Sequence, residues 1–490
     1  MERGAASCPL PPASCLPPLA TRDPPLATCH LPLARRCPRG YNLSAMDMET
    51  RYQETLDYLY SFVDFSLTHQ DGLSLDDFNL VSMRTLVDEL GDPHQAYPSI
   101  HIAGTKGKGS VCAFCAAALQ EQGYKVGLYT SPHLKDFEER IQINGEPIPR
   151  VSLVALVDEI KPYVDSIPDL TTFHIATALA FWYFARQKVD VAVIEVGLGG
   201  RLDSTNVITP LVSVITALYL EHTSILGDTL PQIAAEKAGI IKPGVPVVLS
   251  PQREDARQVV ARIAAEQNAP LTQVGVDYLF EGRDASLDGQ SLIVWLANAS
   301  GHQDSVELRI SLLGPHQIEN AATAYIALQA LREQGIAIRE DAIRAGFAKA
   351  EWPARFEVLR REPPVIIDAA HTPDAAQKLR QTLDEFFPQH PVVLVFGVSE
   401  DKDIRGMLTE LLPKCQQIIC TKSTHPRALD AGELLKQVLP FGCPVKAVEN
   451  VGEALEYASK IAAGEAAVLV TGSSFVAACA RIAWFESADD

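Results

Sequence analysis

Apolar and polar positions along this chain alternate between two periods, and the alternation predicts an α/β protein. Pro98 to Ala103 is an apolar, strand-like run, and Val111 to Leu119 is small, apolar and helical in pattern. Further on, Lys125 to Thr130, Val189 to Val196, Leu211 to Thr216 and Val245 to Leu249 read as strands. They are separated by helix patterns at Phe173 to Arg186 and Leu230 to Ala238. Buried strands alternating with helices predict a largely parallel sheet covered on both faces. Tyr278 to Ile310 breaks the rhythm with short alternations expected of an antiparallel meander. The rhythm restarts with strands Val365–Asp368, Val392–Phe396, Gln417–Cys420, Val445–Val448 and Ala467–Thr471, and with helices Asp374–Phe387 and Ile404–Leu412. This second set is long enough for a domain of its own. Glu351-Trp-Pro-Ala-Arg355 sits between the two sets as the candidate linker.

Before the first set, Tyr52 to His69 has the pattern of an amphipathic helix. Residues 1–45 have no such pattern. They hold nine prolines, the near-repeat Pro-Pro-Leu-Ala-Thr and four cysteines, Cys8, Cys15, Cys29 and Cys37. Such a segment buries too little surface to offset its ordering entropy, so an extension without fixed structure is expected, with Met46 or Met48 as an alternative start. The expected division is therefore 1–45, 46–350 and 351–490. The 490 residues are too many for a single core. A net charge of −19 argues against nucleic-acid and anionic-membrane partners, and no apolar run is long enough to span a bilayer. A soluble, cytoplasmic protein is the expectation. Cys112 and Cys115 form a C-x-x-C, but on a helix pattern and without a second pair, so small buried residues are the simpler reading.

The chemistry is concentrated at the strand ends. Gly104-Thr-Lys-Gly-Lys-Gly-Ser110 follows a strand pattern and opens a helix pattern. Backbone N–H groups in such a turn, together with the helix dipole, hold phosphate oxygens. Lys108 adds a point charge and Ser110 a hydroxyl able to ligate Mg²⁺. The strict G-x-x-x-x-G-K-[ST] spacing is not met, because the lysine precedes the last glycine. Glu195 closes a strand and opens the loop Val196-Gly-Leu-Gly-Gly-Arg-Leu-Asp-Ser-Thr-Asn206. It reads as a Mg²⁺ ligand or as a strand-capping carboxylate. Glu221-His222 also follows a strand, where a histidine is by default structural. Lys237, late in a helix pattern, is by default a solvated lysine favoured by the helix C-terminus.

Several motifs in order resemble the folylpolyglutamate synthase/dihydrofolate synthase family of the Mur ligase superfamily. They are the phosphate loop, Tyr129-Thr-Ser-Pro-His-Leu134, the Glu195 loop, Glu236-Lys-Ala-Gly-Ile-Ile-Lys-Pro-Gly244, His316-Gln-Ile-Glu-Asn-Ala321, Trp352-Pro-Ala-Arg-Phe-Glu357, Asp368-Ala-Ala-His371 and Phe396-Gly with Asp401-Lys-Asp403. The match runs from about Met48 to the C-terminus. It implies a P-loop ATPase domain followed by a smaller Rossmann-like α/β domain. It also implies an ATP-dependent ligase that joins L-glutamate to tetrahydrofolate, to dihydropteroate or to both, through an acyl phosphate. By position, the resemblance implies that Gly104, Thr105, Lys106, Gly107, Lys108, Gly109 and Ser110 bind ATP. Asn320 then lies near the base, and Arg355 and Asp368 near the phosphates and ribose. Ser110, Glu195 and His222 hold Mg²⁺, with two ions expected, and Lys237 matches a lysine that is carbamylated. Lys108, Lys237 and His371 carry the catalysis, with His371 toward the incoming amino acid. Ser131, Pro132 and His133 border the pterin site. A monomer is expected.

Three departures bear on substrate choice. The family usually has Asp-Gly-Ala-His-Asn where this chain has Asp368-Ala-Ala-His-Thr372, so Ala369 demands a backbone without positive φ and Thr372 lacks an amide for glutamate. Ala354 replaces a glycine and is expected to stiffen the hinge. His174 replaces a common glutamate, leaving a carboxylate missing near the folate pocket. The rival readings are another amino-acid ligase of the superfamily, of peptidoglycan-precursor or cyanophycin type, and a non-catalytic nucleotide-binding relative.

Overall fold

Apolar runs that read as buried strands pair into two large sheets, and the polar alternation between them forms a third. The computed structural model describes residues 45–63, 79–298 and 305–487. The described residues from Glu49 onward form one compact unit. The expected extension over 1–45, with its four cysteines, lies outside the described residues except for Ala45. The helix expected at Tyr52 to His69 is observed as Ala45–Tyr60; residues 64–69 are not among those described.

The first sheet contains β1 (Ser99–Ala103), β2 (Val126–Tyr129), β3 (Ile141–Ile143), β4 (Glu146–Pro147), β5 (Val191–Glu195), β6 (Val212–Ile215), β7 (Val247–Leu249) and β8 (Leu271–Gln273). Their order is β4-β3-β2-β5-β1-β6-β7-β8. The β3 and β4 pairings are antiparallel and the rest parallel. Every residue of β1, β5 and β6 is buried, as expected of strands covered on both faces. The helix Lys108–Gln122 is apolar almost all round. It packs against β1 on one side and against the helices Pro315–Glu333 and Glu340–Lys349 on the other.

The meander is a three-stranded antiparallel sheet of β9 (Tyr278–Ser286), β10 (Gly289–Leu296) and β11 (Val306–Ile310). Its β9–β10 turn reaches the C-terminal half, where Arg361 Nη2 donates to Asp288 Oδ1 at 2.6 Å and to Leu287 O at 3.2 Å. The second large sheet contains β12 (Glu357–Arg361), β13 (Pro364–Ile367), β14 (Val392–Phe396), β15 (Cys415–Lys422), β16 (Val445–Asn450) and β17 (Ala467–Thr471). Its order is β12-β13-β17-β14-β15-β16, parallel except for the edge strand β12. The helices Arg150–Val164, Glu254–Glu266, Pro315–Glu333 and Ser474–Glu486 are additions to the elements read from the pattern.

Register places the chemistry. In the first sheet Ile102 pairs with both Glu195 and Val214, so the loops after β1, β5 and β6 leave from neighbouring strand ends. In the second, Ile367 pairs with Val470 and Phe396 with Thr471, which groups the loops after β13, β14 and β17. In parallel sheets ligands bind outside such carboxyl ends.

Candidate active site

Both groups of strand ends open onto one cavity of about 580 Å³. Ser131, Phe173, Glu195 and His222 line it from the first sheet, and Arg355, His371, Lys402 and Ser473 from the second.

The phosphate loop is fixed from behind. Thr105 N and Lys106 N donate to Ala217 O at 3.0 and 3.1 Å, and Thr105 Oγ1 accepts from Tyr219 N at 3.2 Å. Gly107 then turns at φ +91°, and a Cβ there would stand 2.3 Å from Asn320 Oδ1. At Gly109 a Cβ would stand 2.5 Å from the Trp352 ring. Both positions exclude larger residues. No side chain caps the helix that starts at Lys108, so its first N–H groups and dipole face forward, an arrangement suited to an anion.

Behind the loop lie buried charges. Lys237 is enclosed, contrary to the solvated lysine expected from helix position, and its Nζ donates to Gly104 O at 2.8 Å. Burial, reinforced by Lys108, lowers its pKa to about 7. The buried Glu195 accepts from Ser131 N at 3.1 Å and stands 3.9 Å from Lys108 Nζ. Burial raises its pKa against the pull of Lys108. His222, at φ +52°, is held neutral by burial, with a pKa of about 3. Ser110 is buried in the first turn of the helix. Among the described residues no group of three or more His, Cys, Asp or Glu could hold a metal by itself.

On the opposite wall, Arg355 lies between two left-handed non-glycine residues, Ala354 at φ +56° and Phe356 at φ +45°. Asp368 Oδ2 accepts from Phe356 N and its Oδ1 from Ala370 N, both at 2.8 Å. Glu357 accepts from Ala354 N at 2.8 Å and is itself held by Arg481. Burial lowers the Arg355 pKa, with Asp368 and Glu195 opposing. Asn320 Nδ2 donates to Gln317 Oε1 at 3.0 Å, so this side chain braces the loop at Gly107. His133 Nδ1 accepts from Arg140 Nε at 2.8 Å.

The departures acquire physical reasons. Ala369 is not among the positive-φ residues, as its side chain demands. Ala354 is, so the left-handed turn persists without its usual glycine and carries strain. Thr372 caps the helix Pro373–Phe386, its Oγ1 accepting from Ala375 N at 3.4 Å. His174 completes a capping box with Thr171: its N donates to Thr171 Oγ1 and its Nδ1 accepts from Thr171 N, both at 3.2 Å. Burial keeps that ring neutral, with a pKa of about 4, so it offers the cavity no charge.

Glu221 was not among the expected site residues. It accepts from Lys106 Nζ at 2.7 Å and lies 3.1 Å from His371 Nε2. Its signal in the sequence was its position at a strand end beside His222. Asp203 was missed as well; it organises the loop after β5 by accepting from Leu198 N and Thr205 N.

Residues 102–328 match the Mur ligase middle domain, and residues 354–474 match the Mur ligase glutamate ligase domain. The dihydrofolate synthase/folylpolyglutamate synthase of Bacillus subtilis is 37% identical over 394 residues, covering 79% of this chain and 89% of the relative. The chain belongs to the dihydrofolate synthase/folylpolyglutamate synthase family. Two solved members of that family share the architecture. The folylpolyglutamate synthase of Mycobacterium tuberculosis, solved with ADP and AMPPCP, is 34% identical with a TM-score of 0.81, covering 89% of this chain and 99% of that one. Escherichia coli FolC, solved with DHPP and ADP, is 31% identical with a TM-score of 0.78, covering 90% and 98%. No helix among the described residues is long and apolar enough to cross a membrane.

Proposed function

We propose that the chain uses ATP to join the amine of L-glutamate to a carboxyl group of tetrahydrofolate or dihydropteroate, and that it serves both acceptors. The observation that carries the reading is the single cavity onto which the phosphate-loop wall and the Arg355–His371 wall both open. A division into a 46–350 ATP-binding domain and a 351–490 glutamate-ligase domain fits that arrangement. So does a monomer, because one chain supplies both walls. The described cysteines are free thiols, in keeping with a reducing, cytoplasmic setting.

In this reading the N–H groups at the start of the helix Lys108–Gln122, with Gly104, Thr105, Lys106, Gly107 and Gly109 shaping the turn, receive the ATP phosphates. Lys108 neutralises charge as the terminal phosphoryl group moves to the acceptor carboxylate. Arg355 meets the same charge from the other wall. Asp368 acts through the Arg355 turn and by facing the ribose, and Asn320 lies toward the base. Ser131, Pro132 and His133 border the pterin. The buried Glu195, which accepts a hydrogen bond from Ser131 N, the His222 ring and the Ser110 hydroxyl fit Mg²⁺, which favours few protein ligands plus phosphate and water. When bound, Mg²⁺ supplies charge neutralisation at the phosphates. Lys237 suits carbamylation, which requires a neutral amine and yields an anion beside that site. A carboxylate is a poor electrophile; once phosphorylated, its carbonyl carbon is open to the glutamate amine, phosphate leaves and an amide remains. Enclosure between the walls keeps water from the acyl phosphate.

The test is glutamate-dependent ADP release by the full chain with Mg-ATP, using dihydropteroate and tetrahydrofolate separately. Turnover with both is expected. Turnover with one would restrict the enzyme to that step, and none with either would overturn the reading.

A further inference from the structure

Lys106, Glu221 and His371 meet although they come from three loops and both large sheets. Lys106 belongs to the phosphate loop, Glu221 to the segment after β6 and His371 to the segment after β13. Glu221 is 12% exposed, and its Oε1 accepts from Lys106 Nζ at 2.7 Å and lies 3.1 Å from His371 Nε2. Lys106 Nζ stands 3.3 Å from the same ring nitrogen. The other ring nitrogen, Nδ1, is 2.9 Å from Ala369 O. A carbonyl only accepts, so Nδ1 carries the hydrogen.

That assignment leaves Nε2 with a lone pair in the neutral ring, where Lys106 donates to it. A proton gained at Nε2 would point at Glu221. The imidazolium would then have an acceptor for each N–H, Ala369 O and Glu221 Oε1, with no movement of the ring. Both forms are therefore satisfied in one geometry. Lys106 foremost, then burial, holds the His371 pKa below its ordinary value, against Glu221, so the receptive neutral form is the resting one.

We propose that Glu221 is a positioning residue that ties Lys106 to His371 across the cavity and stabilises His371 as it takes the proton given up by the incoming glutamate ammonium. The inference rests on the ligase reading above. An ammonium has no lone pair. One N–H bond breaks, its proton joins Nε2 of His371, and the freed electron pair forms the C–N bond; as the C–O bond breaks, the nitrogen gives a second proton to the departing phosphate and the neutral amide remains. His371 then releases its proton to water.

Hydroxylamine separates this role from a structural one, because it is already neutral at pH 7 and traps acyl phosphates as hydroxamates without losing a proton first. With the full chain, Mg-ATP and the acceptor found active, Glu221→Gln is expected to lower glutamate ligation about 100-fold further than hydroxamate formation, in line with general-base contributions. Glu221→Asp, which keeps the carboxylate, is expected to recover a substantial part of the glutamate rate. Equal losses in both products, no loss in either, or an aspartate variant as impaired as the glutamine one would overturn the proposal. A wild-type chain that forms neither product would instead remove the ligase reading, and the proposal with it.

Discussion

The two walls of the cavity hold their cations, Lys108 and Arg355, by different means. In the phosphate loop the unusual backbone falls on glycine: Gly104 at φ +153° and Gly107 at φ +91° carry the turn, and Lys108 follows in a regular helix. On the second-sheet wall Arg355 is aimed by Ala354 and Phe356, both left-handed and both with side chains buried. Such a turn persists only when its surroundings over-determine it. Asp368 binds Phe356 N, Glu357 binds Ala354 N, and Ala369 N donates to Ala354 O at 3.0 Å. The phosphate loop is a glycine cradle whose helix start has no side-chain cap, and the turn on the second wall is strained and held by carboxylates. A glycine loop needs little from its neighbours, whereas the second wall depends on groups distant in sequence, Asp368 and Arg481 among them.

The comparison breaks most visibly at Lys108. Lys108→Ala is expected to lower glutamate-dependent ADP release about 100- to 1,000-fold with every acceptor, the scale of removing one charge-stabilising donor. Near-wild-type turnover would mean that the cradle holds phosphate by backbone alone.

A smaller effect follows from Lys237 behind the cradle. Its folded pKa of about 7 lies below that of a free lysine, so its neutral form dominates above pH 7 and falls about tenfold per pH unit below it. Carbamylation needs that neutral form. With ¹³C-bicarbonate, a carbamate signal is expected at pH 8, much reduced at pH 6 and absent in Lys237→Met; a signal unchanged in the methionine variant would assign it elsewhere.

The smallest effect sharpens the contrast in strain. Ala354→Gly removes a left-handed Cβ penalty of about 1–2 kcal/mol and adds unfolded-state entropy of up to about 1 kcal/mol. A gain of about 0.5–1 kcal/mol in thermal or denaturant unfolding is expected. A loss would show that the second wall is not strained at this residue.

What the amino-acid pattern conveyed was local. Strands buried on both faces read as apolar runs whichever neighbour they pair with, so β1, β5, β6 and β13 were legible, and so was the meander. The glycine turn before an apolar helix was legible for the same reason, because its meaning is carried by adjacent residues. Polarity misled where tertiary packing overrides it. Lys237 looked solvated and is buried, and the helix-capping roles of His174 and Thr372 were not read from the pattern.

By itself the sequence determined the α/β class, the two sets of strands, the phosphate loop and the motif series that marks the family, because periodicity and backbone demands act over a few residues. Only the tertiary structure decided that two rows of strand ends share one cavity and that Ala354 keeps a glycine's conformation. It alone joined Glu221 to Lys106 and, 150 residues onward, to His371. Those facts depend on which strands become neighbours, and strand order follows from the packing of the whole sheet.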